Sequence, residues 1–173
     1  MTTSADISVE KVRSLLEQVT DPEVPVLSII DLGIVRDIRL ISSPNGGGWE
    51  GVEIIVTPTY SGCPAMDVIR MNIRMALSEH GFKNVKITTV LSPAWTTDWM
   101  SEAGKQKLKA YGIAPPNPKQ QVCSDRLFAE EAIQCPHCNS YNTRRVSEFG
   151  STACKALYQC NECYEPFDYF KCH

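Results

Sequence analysis

VEIIVTPTYSGCPAMD, residues 52–67, is the stretch on which the fold turns. Val52, Ile54, Ile55 and Val56 crowd β-branched side chains together, as a strand requires. Ser61-Gly62 breaks the run, and Pro64 brings the fixed φ favoured at a helix's first residue. From Pro64 to about His80, Ala65, Ile69, Ile73, Ala76 and Leu77 recur at helical spacing, and Gly81 ends the pattern. The chemistry-bearing residue of this strand-to-helix passage is Cys63.

Working outward, "IVRDIRLI" (34–41) is the strand before it, joined through the flexible hairpin loop "SSPNGGGWEG". "VKITTVL" (85–91) is the strand after it. Ser8 can cap an opening helix in which Val9, Val12, Leu15, Leu16 and Val19 recur, and "DPEVP" (21–25) stops it. A last short helix, Ser101–Tyr111, is closed by Gly112. The order α-β-β-α-β-α predicts an α+β domain, a small three-stranded sheet with helices packed on it. The sheet is read as mainly antiparallel, and a parallel pair around residues 64–80 fits the β-α-β order equally well.

"IAPPNPKQQ" (113–121) has three prolines and no periodicity, so residues 113–122 read as a linker. Residues 1–112 then form the first domain and residues 123–173 a second, β-rich one. No internal repeat is evident.

The second domain holds seven of the eight cysteines. "CPHC" (Cys135, Cys138) and "CNEC" (Cys160, Cys163) are paired Cys-x-x-Cys turns, and two such turns can close a tetrahedron of thiolates around Zn²⁺. The intervening 21 residues suit a β-hairpin, with "TRRVSEFG" and "CKALYQC" as strands and Gly150 near the turn. About fifty residues bury too little apolar surface to fold unaided. A structural zinc could supply roughly 10–16 kcal/mol. Four thiolates also hold iron–sulfur clusters, so both readings stand. Cys154, Cys172 and His173 are either further ligands or, for Cys154 above all, packing residues.

Composition excludes several function classes. Hydrophobic residues make up 43% and charged residues 21% of the chain, as in an ordinary globular protein. The longest apolar runs are short and interrupted, so no membrane span is expected. The opening MTTSADISVE lacks the pattern of a signal peptide, and cysteines without an export signal point to metal or redox chemistry in the cytoplasm. Net charge is −3, and from Cys123 onward five Lys/Arg face seven Asp/Glu. That balance disfavours nucleic acid and favours a protein partner or metal handling. No Ser-His-Asp arrangement, phosphate-cradling loop or di-iron helix motif is present. A thiol oxidoreductase built on one Cys-x-x-Cys pair is disfavoured by the second pair.

Around Cys63 two readings compete. A thiol at the cap of a helix, facing its amides and positive dipole end, could ligate iron or receive a cluster in transit. A small buried cysteine could equally just fill the cap. Thr57 and Thr59 alternate along the strand, so both hydroxyls can face one side. Asp21 and Glu23 read first as turn and helix-end residues. Trp95 and Trp99 read as core aromatics.

"DPEVPVLSIIDLGIV", "TPTYSGCPAMD" and "PAWTTDWMSEAGKQKL" resemble the domain shared by SufT-type iron–sulfur maturation factors. With "FGSTACKALYQCNECYEPFDYFKCH" added, the whole chain resembles the PaaD family, the D proteins of bacterial phenylacetyl-CoA epoxidase (ring-1,2-monooxygenase) systems. The resemblance implies an accessory protein without catalysis of its own. It would assist maturation of the iron–sulfur centre of that oxygenase, in preference to its di-iron centre, or serve as a stoichiometric subunit. It also implies that Asp21, Glu23, Thr57, Thr59 and Cys63 form a functional surface with Cys63 as the reactive thiol. The implied partners are the oxygenase components, especially the iron–sulfur flavin reductase. A homodimer through the maturation-type domain is left open.

Overall fold

The computed structural model describes residues 8–42, 49–116 and 133–171. The chain divides into two compact units, Met1–Trp95 and Thr96–His173. The first unit contains α1 (Val9–Leu16), β1 (Val35–Ser42), β2 (Trp49–Val56), α2 (Ala65–Glu79) and β3 (Val85–Thr89). Ser8 caps α1 as the sequence predicts, its hydroxyl accepting from the Lys11 amide at 3.1 Å. Val12, Leu15, Leu16 and Val19 are buried, whereas Val9 in the first turn is exposed. At eight residues α1 is too short to hold itself, so its packing against α2 and β1 must supply its stability.

The sheet order is β1-β2-β3. β1 pairs with β2 antiparallel and β2 with β3 parallel. The β-α-β alternative is therefore the one the chain adopts, and the sheet is mixed. β2 is the central strand, bonded on both edges, and its apolar residues Val52, Ile54, Ile55 and Val56 are all buried. Val52, Ile54 and Val56 are fully buried, and so are Ile69, Ile73 and Leu77 of α2. Ala76, expected in the buried stripe, is only half-buried.

The second unit opens with a 3-10 turn (Thr97–Trp99) and α3 (Glu102–Tyr111). Ser101 caps α3 through its hydroxyl, which accepts from the Gly104 amide at 2.9 Å, and Gly112 closes it with φ +90°. Next come β4 (Ile113–Ala114), β5 (Thr143–Ser147), β6 (Lys155–Cys160) and β7 (Pro166–Phe170), in the sheet order β4-β7-β6-β5. The compact unit that holds this sheet begins at Thr96 and includes α3. The expected linker also begins inside the sheet, because Ile113 and Ala114 are buried and pair with Asp168 and Tyr169. A β-strand needs only apolar side chains and free backbone groups, and Ile113-Ala114 supply both before the prolines begin.

The predicted hairpin is present as β5 and β6. A third long strand, β7, extends the sheet beyond that hairpin. Tyr158, Phe167 and Tyr169 pack around it with Ala114, Ile133, Ala156 and two of the knuckle cysteines. Inside this sheet the Lys155 ammonium lies 3.3 Å from the Asp168 carboxylate, with both side chains largely buried.

Candidate functional site

Both cysteine knuckles fold alike. The Cys135 amide donates to the Ser140 carbonyl at 2.8 Å, and the Cys160 amide to the Glu165 carbonyl at 3.1 Å. The residue after each second cysteine is left-handed: Asn139 and Tyr164 both have φ 62°. Asparagine tolerates this conformation, whereas tyrosine adopts it rarely, so the surrounding turn must impose it.

The two turns bring their sulfurs to one point. Cys135 Sγ is 3.7 Å from Cys163 Sγ, Cys138 Sγ is 3.5 Å from Cys160 Sγ, and all four lie within 4.8 Å of one another. Four sulfurs around one ion at about 2.3 Å sit about 3.8 Å apart in a tetrahedron, so the donor set fits a single Zn²⁺-sized ion. A multi-iron cluster would have to spread them farther.

Metal-free, the thiols compete for charge. The Cys163 amide, helped by that of Glu162, holds the Cys160 thiol down to about 7. Against the lowering by the Glu165 amide, desolvation and the sulfurs of Cys138, Cys160 and Cys135 push Cys163 up to about 12. Cys138 also moves up, against the Ser140 amide, through desolvation and the Cys160 sulfur. A second anion is thus resisted at once, and a dication relieves that conflict.

Among the described residues this is the one cluster of three or more His, Cys, Asp or Glu side chains able to share an ion. Cys154 is not in it: the thiol is buried and lies 3.1 Å from the Thr152 hydroxyl. Cys172, His173 and Cys123 lie outside the described residues.

Cys63 sits in the passage from β2 to α2, at the carboxyl end of the parallel pair. It is half-buried. The cap position belongs to Pro64, which makes no side-chain cap bond, so Cys63 stands one residue earlier than the sequence predicts. Its carbonyl nevertheless accepts from the Met66 amide at 3.2 Å, and its own amide donates to the Tyr60 carbonyl at 3.3 Å. Gly62 turns the chain with φ +87°, and open space surrounds it, so conformation and not crowding requires glycine there.

β2 ends at Val56, so Thr57 and Thr59 lie in the loop beyond it and strand alternation does not govern them. Thr57 is 1% exposed, and its Oγ1 is the buried side-chain N/O atom among the described residues that finds no hydrogen-bond partner. A hydroxyl buried in this way is energetically costly. Thr59 is half-buried.

Asp21 takes the turn role: its Oδ1 accepts from the amides of Glu23 at 2.7 Å and Val24 at 3.0 Å. Glu23 is half-buried in the same turn. Trp95 is a core aromatic whose indole N–H donates to the Leu32 carbonyl at 2.9 Å. No described helix is long and apolar enough to cross a membrane.

Comparison with known proteins divides the chain along the same lines. Residues 9–89 match the family described as iron–sulfur cluster assembly protein, and residues 119–171 the PaaD zinc beta ribbon domain. A protein of Escherichia coli (strain K12), named as a candidate D component of 1,2-phenylacetyl-CoA epoxidase, is 48% identical over 99% of this chain and 98% of its own length. An Fe-S protein maturation auxiliary factor of Porphyromonas gingivalis (strain ATCC BAA-308 / W83) is 36% identical over 57% of this chain and 89% of its own. A crystal structure of a DUF59 domain from Bacillus anthracis is 29% identical, covering 57% of this chain and 89% of that one, with a TM-score of 0.49. With near-complete coverage of both chains at that first identity, the protein belongs to the PaaD family, as a homologue of the D protein of phenylacetyl-CoA epoxidase.

Proposed function

We propose that the protein is a non-catalytic maturation factor for the iron–sulfur centre of a phenylacetyl-CoA epoxidase, acting on its iron–sulfur flavin reductase. Cys63 is the thiol that handles iron or a cluster in transit, with Thr57, Thr59, Asp21 and Glu23 around it. Cys135, Cys138, Cys160 and Cys163 hold one structural Zn²⁺ and take no part in transfer. The observation that carries this reading is the pairing of two unlike thiol sites in one chain. Four sulfurs fit a single closed ion, while a lone half-buried thiol stands in the passage from β2 to α2. A closed site suits structure, and a single thiol outside it suits exchange.

The test is Cys63→Ser in cells that express the epoxidase system, with iron and sulfide measured per purified reductase. The reading expects reductase occupancy to fall while the ion of the ribbon is retained. Unchanged occupancy would refute it. A second reading, a stoichiometric component of the oxygenase, draws support from the name of the Escherichia coli relative, which counts it among the epoxidase subunits. Co-purification with the oxygenase at fixed ratio, indifferent to Cys63→Ser, would favour it.

A further inference from the structure

Each knuckle is preceded by a glutamine: Gln134-Cys135 and Gln159-Cys160. The two side chains make matching bonds. Gln134 Nε2 donates to the Asn139 carbonyl at 3.2 Å, and Gln159 Nε2 to the Tyr164 carbonyl at 3.2 Å. Both acceptors belong to the left-handed residue that follows the second cysteine. Each amide oxygen in turn accepts from a cation: Gln134 Oε1 from Lys109 Nζ at 3.5 Å, and Gln159 Oε1 from Arg144 Nη2 at 2.6 Å. A carboxamide has one donor end and one acceptor end, so this orientation is the one that satisfies both neighbours.

We infer that Gln134 and Gln159 are positioning residues for the four-cysteine site. Each closes the backbone around its Cys-x-x-Cys turn by tying the residue before the first cysteine to the carbonyl after the second. The left-handed turn that aims both sulfurs inward is thereby locked before an ion arrives. Lys109 and Arg144 fix the amide's orientation and place positive charge behind each knuckle, where a tetrathiolate ion complex carries net charge −2. Outer partners of this kind hold ligand geometry without touching the metal. The inference rests on the metal-site reading above.

The full-length chain is loaded with Zn²⁺, or with Co²⁺ for absorption spectroscopy, and affinity is measured by chelator competition. Gln134→Ala and Gln159→Ala are each expected to weaken ion binding about 10-fold, and the double variant about 100-fold, with altered Co²⁺ ligand-field bands. Gln134→Glu and Gln159→Glu keep the side chain's size and strengthen the cation contact, but turn an acceptor toward the Asn139 or Tyr164 carbonyl. Positioning through the N–H predicts that these variants are weakened as well. Glutamate variants with wild-type affinity and spectra, or alanine variants within about twofold of wild type, would overturn the inference while leaving the metal site standing. A wild-type chain that binds no ion through its four sulfurs would remove both together.

Discussion

The first unit and the ribbon reach order by opposite means. In the first, Val52, Ile54 and Val56 on one strand and Ile69, Ile73 and Leu77 on one helix are buried in a core that is mostly aliphatic. In the ribbon, two core positions are cysteines, Cys135 and Cys160, with no exposed surface of their own. Fully burying an aliphatic side chain contributes about 1.5–3 kcal/mol, so the first unit stabilises itself residue by residue. On the proposed metal-site reading, the ribbon adds to its small core a stabilisation concentrated at one point. A thiol that helps hold the fold is unavailable for exchange, and it is on this ground that Cys63, in the first unit, is the thiol proposed for transfer.

The largest effect that could break this contrast is ion removal. Chelation of the loaded chain is expected to withdraw roughly 10–16 kcal/mol from the ribbon alone. Amide hydrogen exchange should then lose protection across β5, β6 and β7 while β2 and α2 keep theirs. Equal loss in both units would break the comparison. Asp168→Ala comes next: it strands the buried Lys155 ammonium, at a cost of about 3–5 kcal/mol read by denaturant titration of the loaded protein. Ile73→Ala, at a fully buried position, should cost about 2–5 kcal/mol and act on the first unit without changing ion affinity. The smallest effect sharpens the boundary: Ser101→Ala removes the cap of α3 for about 1 kcal/mol and should be felt with the ribbon, whose unit contains that helix.

What is legible in the sequence follows the same division. Caps, periodicity and the Gly62-Cys63-Pro64 break are local signals, and they locate both described helices of the first unit, α1 and α2. The pairing direction of β3 is not local, because it depends on the path α2 takes back to the sheet. The four metal-type cysteines are legible since Cys-x-x-Cys spacing by itself dictates a turn that aims two sulfurs together. β7 escapes a sequence reading because PFDYF follows a knuckle at once and opens on proline, a residue tolerated at a strand's first position. The repeated Gln-Cys-x-x-Cys is also visible, but its meaning needs coordinates: a glutamine before a cysteine is ordinary until its amide is seen to reach the fifth residue beyond it. Cys63 lies one position from its expected place, since proline's helical φ lets it stand at the cap itself.

The most direct test of the central claim, a closed ion in the ribbon and an exchange thiol outside it, is metal and sulfide analysis of anaerobically purified full-length protein, with its visible spectrum. The account predicts a colourless sample with one zinc per chain, no inorganic sulfide, and loss of that zinc in Cys160→Ser but not in Cys63→Ser. A brown sample with iron and sulfide held by the four ribbon cysteines would contradict it.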